Sequence, residues 1–314
     1  MSHPVFFMPE ELEDAQQELS TVLDMARWSF TQFNRADVYL GHGTDNGWDE
    51  ALSLLAHVLH LPQPLHQDFF KARTTRQERL AILEFVQRRI DERLPLAYLT
   101  NEAWFCGLPF YVDERVLIPR SPFSELIDNR FENYLESAPQ NILDMCTGSA
   151  CIAIAAAHAF PGAHVDAVDI SNEALQVADI NIQEHQLAER VFPIESNLFE
   201  QLEGQHYDLI ICNPPYVDAE DMDDLPEEFH HEPRLGLAAG QDGLDLIPAI
   251  LRGANKHLNE GGWLFIEVGN SQVHMLSRFP ELPIVWVNLH KGGHGILAIN
   301  KQQLSEYFSG EQQQ

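Results

Sequence analysis

The spacing of hydrophobic residues changes character along the chain. Between residues 9 and 92, apolar side chains recur three or four residues apart, as at Leu52, Leu55 and Leu59, and this period predicts amphipathic helices. From Ser121 onward, short apolar runs alternate with helical patterns, which is typical of a sheet with helices on both faces. The pattern therefore predicts a helical N-terminal domain followed by an α/β domain.

Seven apolar runs predict the strands of the α/β domain. The last two are joined by a Lys-Gly-Gly turn at 291–293, which predicts an antiparallel pair at one edge of the sheet. We place the strands near residues 141–145, 164–169, 191–195, 207–212, 262–268, 284–290 and 294–300.

An aromatic, β-prone stretch at 104–112 lies between the two parts of the chain. It surrounds a Gly-Leu-Pro turn, which predicts a β-hairpin. We therefore divide the chain into a helical domain of residues 1–95, a β-hairpin linker of residues 96–120 and an α/β domain of residues 121–314.

The apolar run at 207–212 ends abruptly at Asn213-Pro214-Pro215-Tyr216. Two adjacent prolines cannot continue a central strand, because they lack backbone N–H donors while keeping their carbonyl acceptors. Asn213 adds a side-chain carbonyl, and Tyr216 adds a flat ring. A planar NH2 group, in an amide or on a nucleic-acid base, requires two acceptors and a stacking face. The tetrapeptide predicts either a site for such a group or only a proline-rich turn that closes a buried strand.

A second element upstream predicts a cofactor cradle. The strand at 141–145 carries Asp144 near its end and breaks at the small-residue turn 147–149, before a helix-forming run at 152–157. A strand, a small-residue turn and a helix start commonly cradle a nucleotide-like cofactor. Asp169 ends the next apolar run, where a carboxylate can accept hydrogen bonds from ribose hydroxyls.

The residues of this cradle leave the cofactor open between NAD and S-adenosylmethionine. The dinucleotide fingerprint G-x-G-x-x-G is absent, since Cys146 and Ala150 stand where further glycines are expected and only Gly148 remains. The absence of these glycines counts mildly against a dinucleotide, because its pyrophosphate must approach the backbone closely. A plain strand–turn–helix of an α/β core is the alternative.

These motifs together resemble those of the S-adenosylmethionine-dependent glutamine-N5 methyltransferases, which modify release factors and a large-subunit ribosomal protein. The resemblance begins at about Leu94 and includes 117–125, 141–151, 168–169, 196–199, 213–216, 225–229, 232–233, 240–245 and 263–269. At 119–122 the chain reads Pro-Arg-Ser-Pro. This is similar to the ribosomal-protein branch, whereas the release-factor branch reads Pro-Arg-Pro-Glu-Thr-Glu.

The resemblance implies a seven-stranded, doubly wound Rossmann-like methyltransferase sheet, with the N-terminal helical domain serving substrate recognition. The implied catalytic residues hold the glutamine amide and are Asn213, Pro214, Pro215 and Tyr216. The implied residues for S-adenosyl-L-methionine, which leaves as S-adenosyl-L-homocysteine, are Asp144, Cys146, Thr147, Gly148, Ser149, Ala150, Cys151, Asp169, Asn197, Leu198 and Asn213. The residues implied to shape the substrate side are Glu267 together with Arg120 and Glu125, the last two as an ion pair or as caps.

The charge of the chain bears on its partners. The net charge is −29, from 19 basic and 48 acidic side chains. A protein that grips nucleic acid needs a cationic footprint, so we expect no direct nucleic-acid binding. The acidity suits a basic ribosomal protein substrate, or it serves only solubility. A nucleic-acid amine methyltransferase, a release-factor methyltransferase and a non-catalytic binding module are the alternative functions.

Cysteine usage and hydropathy predict a cytoplasmic protein. The four cysteines include no C-x-x-C pair, which fits a reduced compartment. Residues 1–4 lack the basic start of a signal peptide, and no apolar window is long enough to span a membrane. Three histidines of the helical domain lack Cys or carboxylate partners in metal-ligand spacing, so we expect no metal.

Overall fold

The computed structural model describes residues 6–311. Contacts between residues divide the chain into two compact units, the first made of Met1–Glu102 and Pro226–His231 and the second of Ala103–Leu225 and Glu232–Gln314. The prediction of no signal peptide concerns residues that lie outside the described part, as do residues 312–314 of the predicted α/β domain.

The first unit is helical. Two of its helices begin with capping boxes, in which Thr21 pairs with Asp24 and Thr75 pairs with Glu78, so that backbone donors at each helix start are satisfied. The helices are α1 (Pro9–Glu18), α2 (Val22–Arg35), α3 (Gly47–Val58), α4 (Arg76–Asp91) and α5 (Leu96–Thr100).

The core of the first unit joins the apolar faces of α2, α3 and α4. Met25, Leu54, Leu55 and Ile82 have no exposed surface, and burial of such side chains contributes about 1.5–3 kcal/mol each. This packing is the main source of helix stability in the unit, because isolated helices of this length are marginal in water.

A buried ion network also lies in the first unit, around Arg89 on α4. Arg89 donates to Glu50 at 2.8 Å, to Glu228 at 3.3 Å and to the carbonyl of Tyr39 at 2.7 Å. The backbone N–H of Tyr39 donates to Glu228 at 2.9 Å. Because Glu228 lies in the segment Pro226–His231, the network fastens that segment to the helices of the first unit.

The second unit carries a small hairpin and a seven-stranded sheet. The hairpin strands are β1 (Glu102–Phe105) and β2 (Leu108–Tyr111). The sheet has the order β5-β4-β3-β6-β7-β9-β8, and only β9 and β8 run antiparallel to their neighbours. Its strands are β3 (Asn141–Met145), β4 (His164–Asp169), β5 (Val191–Glu195), β6 (Tyr207–Cys212), β7 (Leu258–Glu267), β8 (Val285–Trp286) and β9 (Ile296–Asn300).

Helices cover both faces of this sheet. Alternate residues of each strand face opposite sides, as Ile142 and Leu143 do on β3, and each enters a different apolar core. The helices are α6 (Phe123–Asp128), α7 (Cys151–Ala159), α8 (Asn172–Glu184), α9 (Ala219–Asp223), α10 (Ile247–His257), α11 (Gln272–Arg278) and α12 (Lys301–Glu311). The predicted doubly wound fold with an N-terminal helical part is confirmed.

Two strand boundaries differ from the prediction. β7 begins at Leu258 rather than near residue 262, because Leu258 already pairs with Tyr207 on β6. The glycines at 261 and 262 lie in an irregular stretch of this pairing, which resumes at Trp263 opposite Leu209. β8 holds only Val285 and Trp286. It is the edge strand of the sheet and pairs with β9 alone, so fewer hydrogen bonds extend it. No helix within residues 6–311 is long and apolar enough to cross a membrane.

The strand order reverses between β3 and β6. After β3, the chain adds β4 and β5 on one side and then crosses to place β6 and β7 on the other. Open α/β sheets bind ligands at such a reversal, outside the carboxyl ends of the strands. Asp144, Asp169, Asn213 and Glu267 all lie at that edge, at or just beyond their strand ends.

Replacing Arg89 by Met should strongly destabilise the first unit. Glu50 and Glu228 would stay buried without their shared guanidinium, and breaking a buried ion pair in this way costs about 3–5 kcal/mol. The matched control is Arg88→Met, because Arg88 forms an exposed pair with Glu92 that contributes less than about 1 kcal/mol. Urea unfolding of both variants measures the difference, and equal losses would contradict the assigned role of the network.

Candidate active site

Asp144 lies fully buried at the end of β3. One carboxylate oxygen accepts hydrogen bonds from the Thr147 hydroxyl at 2.5 Å and from the Ala153 N–H at 3.0 Å. The other oxygen is buried without a partner among the described residues. Burial raises the pKa of Asp144 to about 7, although these two hydrogen bonds oppose the rise. The carboxylate therefore holds the turn together and keeps one unused acceptor.

Asp169 ties the same turn to the end of β4. Its two oxygens accept one hydrogen bond each, from Gly148 N–H and from Ser171 N–H, both at 2.9 Å. Burial raises the pKa of Asp169, while the hydrogen bonds from Ser171 and Gly148 limit the rise. Each oxygen keeps a lone pair for another donor, so the carboxylate can both shape the turn and accept ribose hydroxyls.

The turn between Asp144 and α7 has an unusual backbone. Cys146, Gly148 and Ala150 all have φ between +55° and +62°, a region that only glycine enters without steric cost. An added Cβ at Gly148 would meet nothing within 4 Å, so glycine is needed there for conformation and not for space. Ala150 carries a cost of about 1–2 kcal/mol, which the surrounding hydrogen bonds offset.

The segment after β5 bears the residues predicted to meet adenine. Asn197 is exposed and its amide donates to Glu200 at 2.8 Å, which leaves its side-chain carbonyl as an acceptor. Leu198 follows with φ +52°, and its carbonyl accepts from the Ser196 hydroxyl at 2.8 Å. The Ser196 N–H donates to the carbonyl of Asp169 at 2.9 Å, so this segment lies next to the predicted ribose position.

The acceptors of the tetrapeptide after β6 remain unused. Asn213 is partly exposed, and no hydrogen bond joins its side chain to another residue within 6–311. The carbonyl of Pro214 likewise accepts from no backbone N–H in that range. Two adjacent carbonyl acceptors thus lack hydrogen-bond donors among residues 6–311, at the reversal point of the sheet. The NH2 site itself stays a prediction.

Tyr216 is held from several sides. Its hydroxyl donates to Glu267 at 2.8 Å, and its carbonyl accepts from the Ser271 hydroxyl at 2.9 Å. Gly269 lies against the ring, since a Cβ there would come within 2.5 Å of a ring carbon. Gly243 lies equally close to the Tyr216 carbonyl. The ring position therefore depends on two glycines that the sequence places far from the tetrapeptide.

Glu267 accepts hydrogen bonds on both oxygens. Besides Tyr216, the Ser121 hydroxyl donates to it at 2.5 Å. Burial raises the pKa of Glu267, and the hydrogen bonds from Ser121 and Tyr216 counter part of that rise. Burial also raises the pKa of Tyr216 well above its usual value, with a further contribution from the Glu267 charge. The phenol therefore stays protonated and acts as a donor.

Arg120 and Glu125 do not pair with each other. Arg120 forms a bidentate ion pair with buried Glu232, at 2.6 and 2.7 Å. Glu125 instead accepts from the backbone N–H groups of His290 and Lys291, at 2.6–2.9 Å, and these donors lower its pKa, Lys291 most. Of the two predicted arrangements, an ion pair or caps, the ion pair is wrong. Glu125 instead accepts backbone N–H groups, and each residue fastens a different loop beside the site.

The acidic stretch 218–232 has two kinds of carboxylate. Glu228 and Glu232 are buried and paired with arginines. The exposed ones are Glu220, Asp221, Asp223, Asp224 and Glu227. Only the exposed group can steer a basic partner, because a buried and paired carboxylate presents little field to solvent.

The remaining reactive side chains do not form a second reactive centre. Burial raises the pKa of Cys106 to about 12 and that of Cys151 and Cys212 above the usual range, so these thiols stay neutral and behave as small apolar groups. Within the described residues, no group of three His, Cys, Asp or Glu side chains is placed to hold a metal ion.

Several residues of this site have no local signal in the sequence. In the sequence, Ser121 is part of the stretch 119–122 that resembles one branch of the family, whereas in the structure its hydroxyl donates to Glu267. Glu232, Gly243, Gly269 and Ser271 join the site from loops after β6 and β7. The glycines were visible as segments of the resemblance, but their contact with Tyr216 was not.

Known proteins match this chain along nearly its whole length. A relative from Francisella tularensis subsp. tularensis is 41% identical over 303 residues, 96% of each chain. One from Bordetella pertussis is 46% identical over 292 residues, 92% of this chain and 98% of the relative. Both are named ribosomal protein uL3 glutamine methyltransferase. This chain belongs to their family.

The family model described as methyltransferase small domain matches residues 124–240 of this methyltransferase. The predicted family, its ribosomal-protein branch and the enzyme class are confirmed. Among solved structures, the catalytic domain of hMettl16 in complex with a 3'UTR hairpin has a TM-score of 0.51 at 15% identity, covering 80% of this chain and 92% of that one. At that identity the likeness shows the fold alone.

The raised pKa of Asp144 predicts a stability that depends on pH. The folded state holds this proton more tightly than the unfolded chain, whose pKa is near 3.8. Its contribution is therefore complete below about pH 4 and is lost as pH rises through about 7. Asp144→Asn should gain stability relative to the parent from about pH 5 to about pH 7, by up to about 1.4 kcal/mol per pH unit.

Chemical denaturation at several pH values measures this difference. The control is Asp208→Asn. Burial acts to raise the pKa of Asp208, but hydrogen bonds from Asn141 and Asn259 outweigh it and hold that pKa below its usual value. Asp208 thus stays ionised over the whole range, and its variant should differ from the parent by a constant amount. Parallel curves for Asp144→Asn and the parent would show that Asp144 ionises normally.

Proposed function

We propose that this chain transfers a methyl group from S-adenosyl-L-methionine to the side-chain amide nitrogen of a glutamine in ribosomal protein uL3, and releases S-adenosyl-L-homocysteine. The observation that carries the proposal is the pair of unused carbonyl acceptors at Asn213 and Pro214, beside a tyrosine ring fixed by Glu267. The names of the two relatives support uL3 as the substrate.

The cofactor edge of the sheet suits a cationic nucleoside better than a dinucleotide. The Ala153 N–H at the start of α7 donates to Asp144. It is therefore not available to a pyrophosphate, which binds such helix-start N–H groups. The unused oxygen of Asp144 and the charge of Asp169 favour positive groups nearby. S-adenosylmethionine, when bound, supplies a methyl group on a positively charged sulfur. Residues 146–151 would line it, Asp169 would accept from its ribose, and Asn197 and Leu198 would contact its adenine.

The tetrapeptide would position the glutamine amide. The side-chain oxygen of Asn213 and the carbonyl of Pro214 would each accept one N–H, and the Tyr216 ring would stack on the flat amide. These hydrogen bonds strengthen as positive charge develops on the amide nitrogen, so they stabilise the transition state more than the ground state. Fixing the NH2 group also removes much of the entropic cost of alignment. No separate general base is required, because the proton can leave late to water.

The exposed carboxylates of 218–227 suit a basic protein partner. Complementary charge raises association rates at low salt, and a ribosomal protein must itself present cationic groups to RNA. We place the reaction in the cytoplasm, where such a substrate is made. A nucleic-acid substrate is disfavoured, because a net charge of −29 opposes a polyanion.

Methyl transfer to purified fractions tests the substrate. The full chain and radiolabelled S-adenosylmethionine are incubated with ribosomal proteins, release factors and nucleic acid kept separate. We expect label on one glutamine of uL3. Label on a glutamine of a release factor would support methyl transfer to an amide but contradict uL3 as the substrate. Label in RNA or DNA would support the NH2-binding role of the tetrapeptide but contradict a glutamine acceptor.

Two substitutions should separate acceptor binding from cofactor binding. Asn213→Ala removes one acceptor, so we expect methyl transfer to fall at least about a hundredfold, in line with the loss of a transition-state hydrogen bond. Although the resemblance also places Asn213 beside the cofactor, the other implied cofactor residues are retained, so we expect cofactor affinity to change little. Asp169→Ala should instead weaken cofactor binding, measured by calorimetry. Unchanged turnover in the first variant, or an unchanged dissociation constant in the second, would contradict the assigned role.

A further inference from the structure

Glu267 is the acceptor for two hydroxyl groups from distant parts of the second unit. It is 4% exposed and ends β7. One oxygen accepts from the Tyr216 hydroxyl at 2.8 Å, and the other accepts from the Ser121 hydroxyl at 2.5 Å. A buried carboxylate that lacks such donors is costly, so the two hydroxyls and the carboxylate stabilise one another's positions.

The orientation of the Ser121 hydroxyl follows from its other hydrogen bond. The N–H of Phe123, at the start of α6, donates to the Ser121 oxygen at 3.2 Å. Because that N–H can only donate, the Ser121 proton is left for Glu267. Ser121 is 6% exposed, so water does not readily replace it. The serine thus anchors the carboxylate to the start of α6.

The Tyr216 ring has few other polar constraints. Ser271 holds the backbone carbonyl of Tyr216, and Gly269 bounds one edge of the ring. Neither contact grips the far end of the side chain. Its hydroxyl donates to Glu267 at that end, so a shift of Glu267 would shift the ring.

We propose that Ser121 is a positioning residue for methyl transfer, acting through Glu267 to hold the Tyr216 ring against the acceptor amide. This inference rests on the proposed function, in which that ring stacks on the glutamine. Ser121 itself contacts neither the amide nor the cofactor. Its effect is on alignment, and displacements of about 1 Å at a reacting centre can cost about a hundredfold in rate.

A double-mutant cycle separates this role from a structural one. Ser121→Ala should lower kcat about tenfold while the dissociation constant for S-adenosylmethionine and the thermal midpoint change little. Tyr216→Phe keeps the ring but loses the bond to Glu267, and should lower kcat at least as much. In the Tyr216→Phe background, Ser121→Ala should have no further effect on kcat, because its route to the ring is already broken.

The control is Ser305→Ala on α12, whose hydroxyl donates to Asn255 at 2.9 Å in the same unit and which should leave kcat unchanged. Unchanged kcat in Ser121→Ala, additive losses in the double variant, or a loss that follows the thermal midpoint would each overturn the inference. The assay uses whichever acceptor the labelling experiment finds. Failure of uL3 as substrate is therefore distinguishable from failure of the Ser121 role.

Discussion

The neighbours of β3 in the sheet decide where the candidate site forms. β3 pairs in parallel with β4 on one side and with β6 on the other. Parallel pairing aligns the carboxyl ends of the strands, and the reversal of order leaves a crevice between the loops that follow them. The turn after Asp144 follows β3 and the segment Asn213–Tyr216 follows β6, so the two halves of the candidate site lie side by side because these strands are adjacent.

Buried carboxylates then fix the loops around that crevice. Asp144 holds the turn into α7, Glu267 holds Tyr216, and Glu232 holds Arg120. Glu267 and Glu232 accept from hydroxyls or a guanidinium on both oxygens. Asp144 accepts on one oxygen only, and its burial accordingly raises its pKa. In so acidic a chain, these residues differ from the exposed carboxylates: the former determine geometry, and the latter determine the field that a partner meets.

The site is built to orient groups more than to activate them. Burial raises the pKa of Cys151 and Cys212 and keeps these thiols neutral, and burial together with the Glu267 charge keeps Tyr216 protonated. What it offers an amide is a set of fixed acceptors and a flat face. Such a site depends on the exact rotamers of a few side chains, which explains why glycines and a serine from distant loops are needed to hold one tyrosine in place.

The sequence by itself determined the elements and the two central motifs. The existence of the strands, the turn after Asp144 and the stop at Asn213 are set by residues that are neighbours in the chain, so hydrophobic period and proline chemistry reveal them. Tertiary structure alone decided the partners. Ser121 contacts Glu267, 146 residues further along the chain, and Arg120 contacts Glu232, 112 residues further along. Tertiary structure also decided that Glu125 accepts from the N–H groups of His290 and Lys291 and does not pair with Arg120. A hydrogen bond between distant residues leaves no periodic trace in the chain, because its geometry is created only when the sheet brings their loops to one edge.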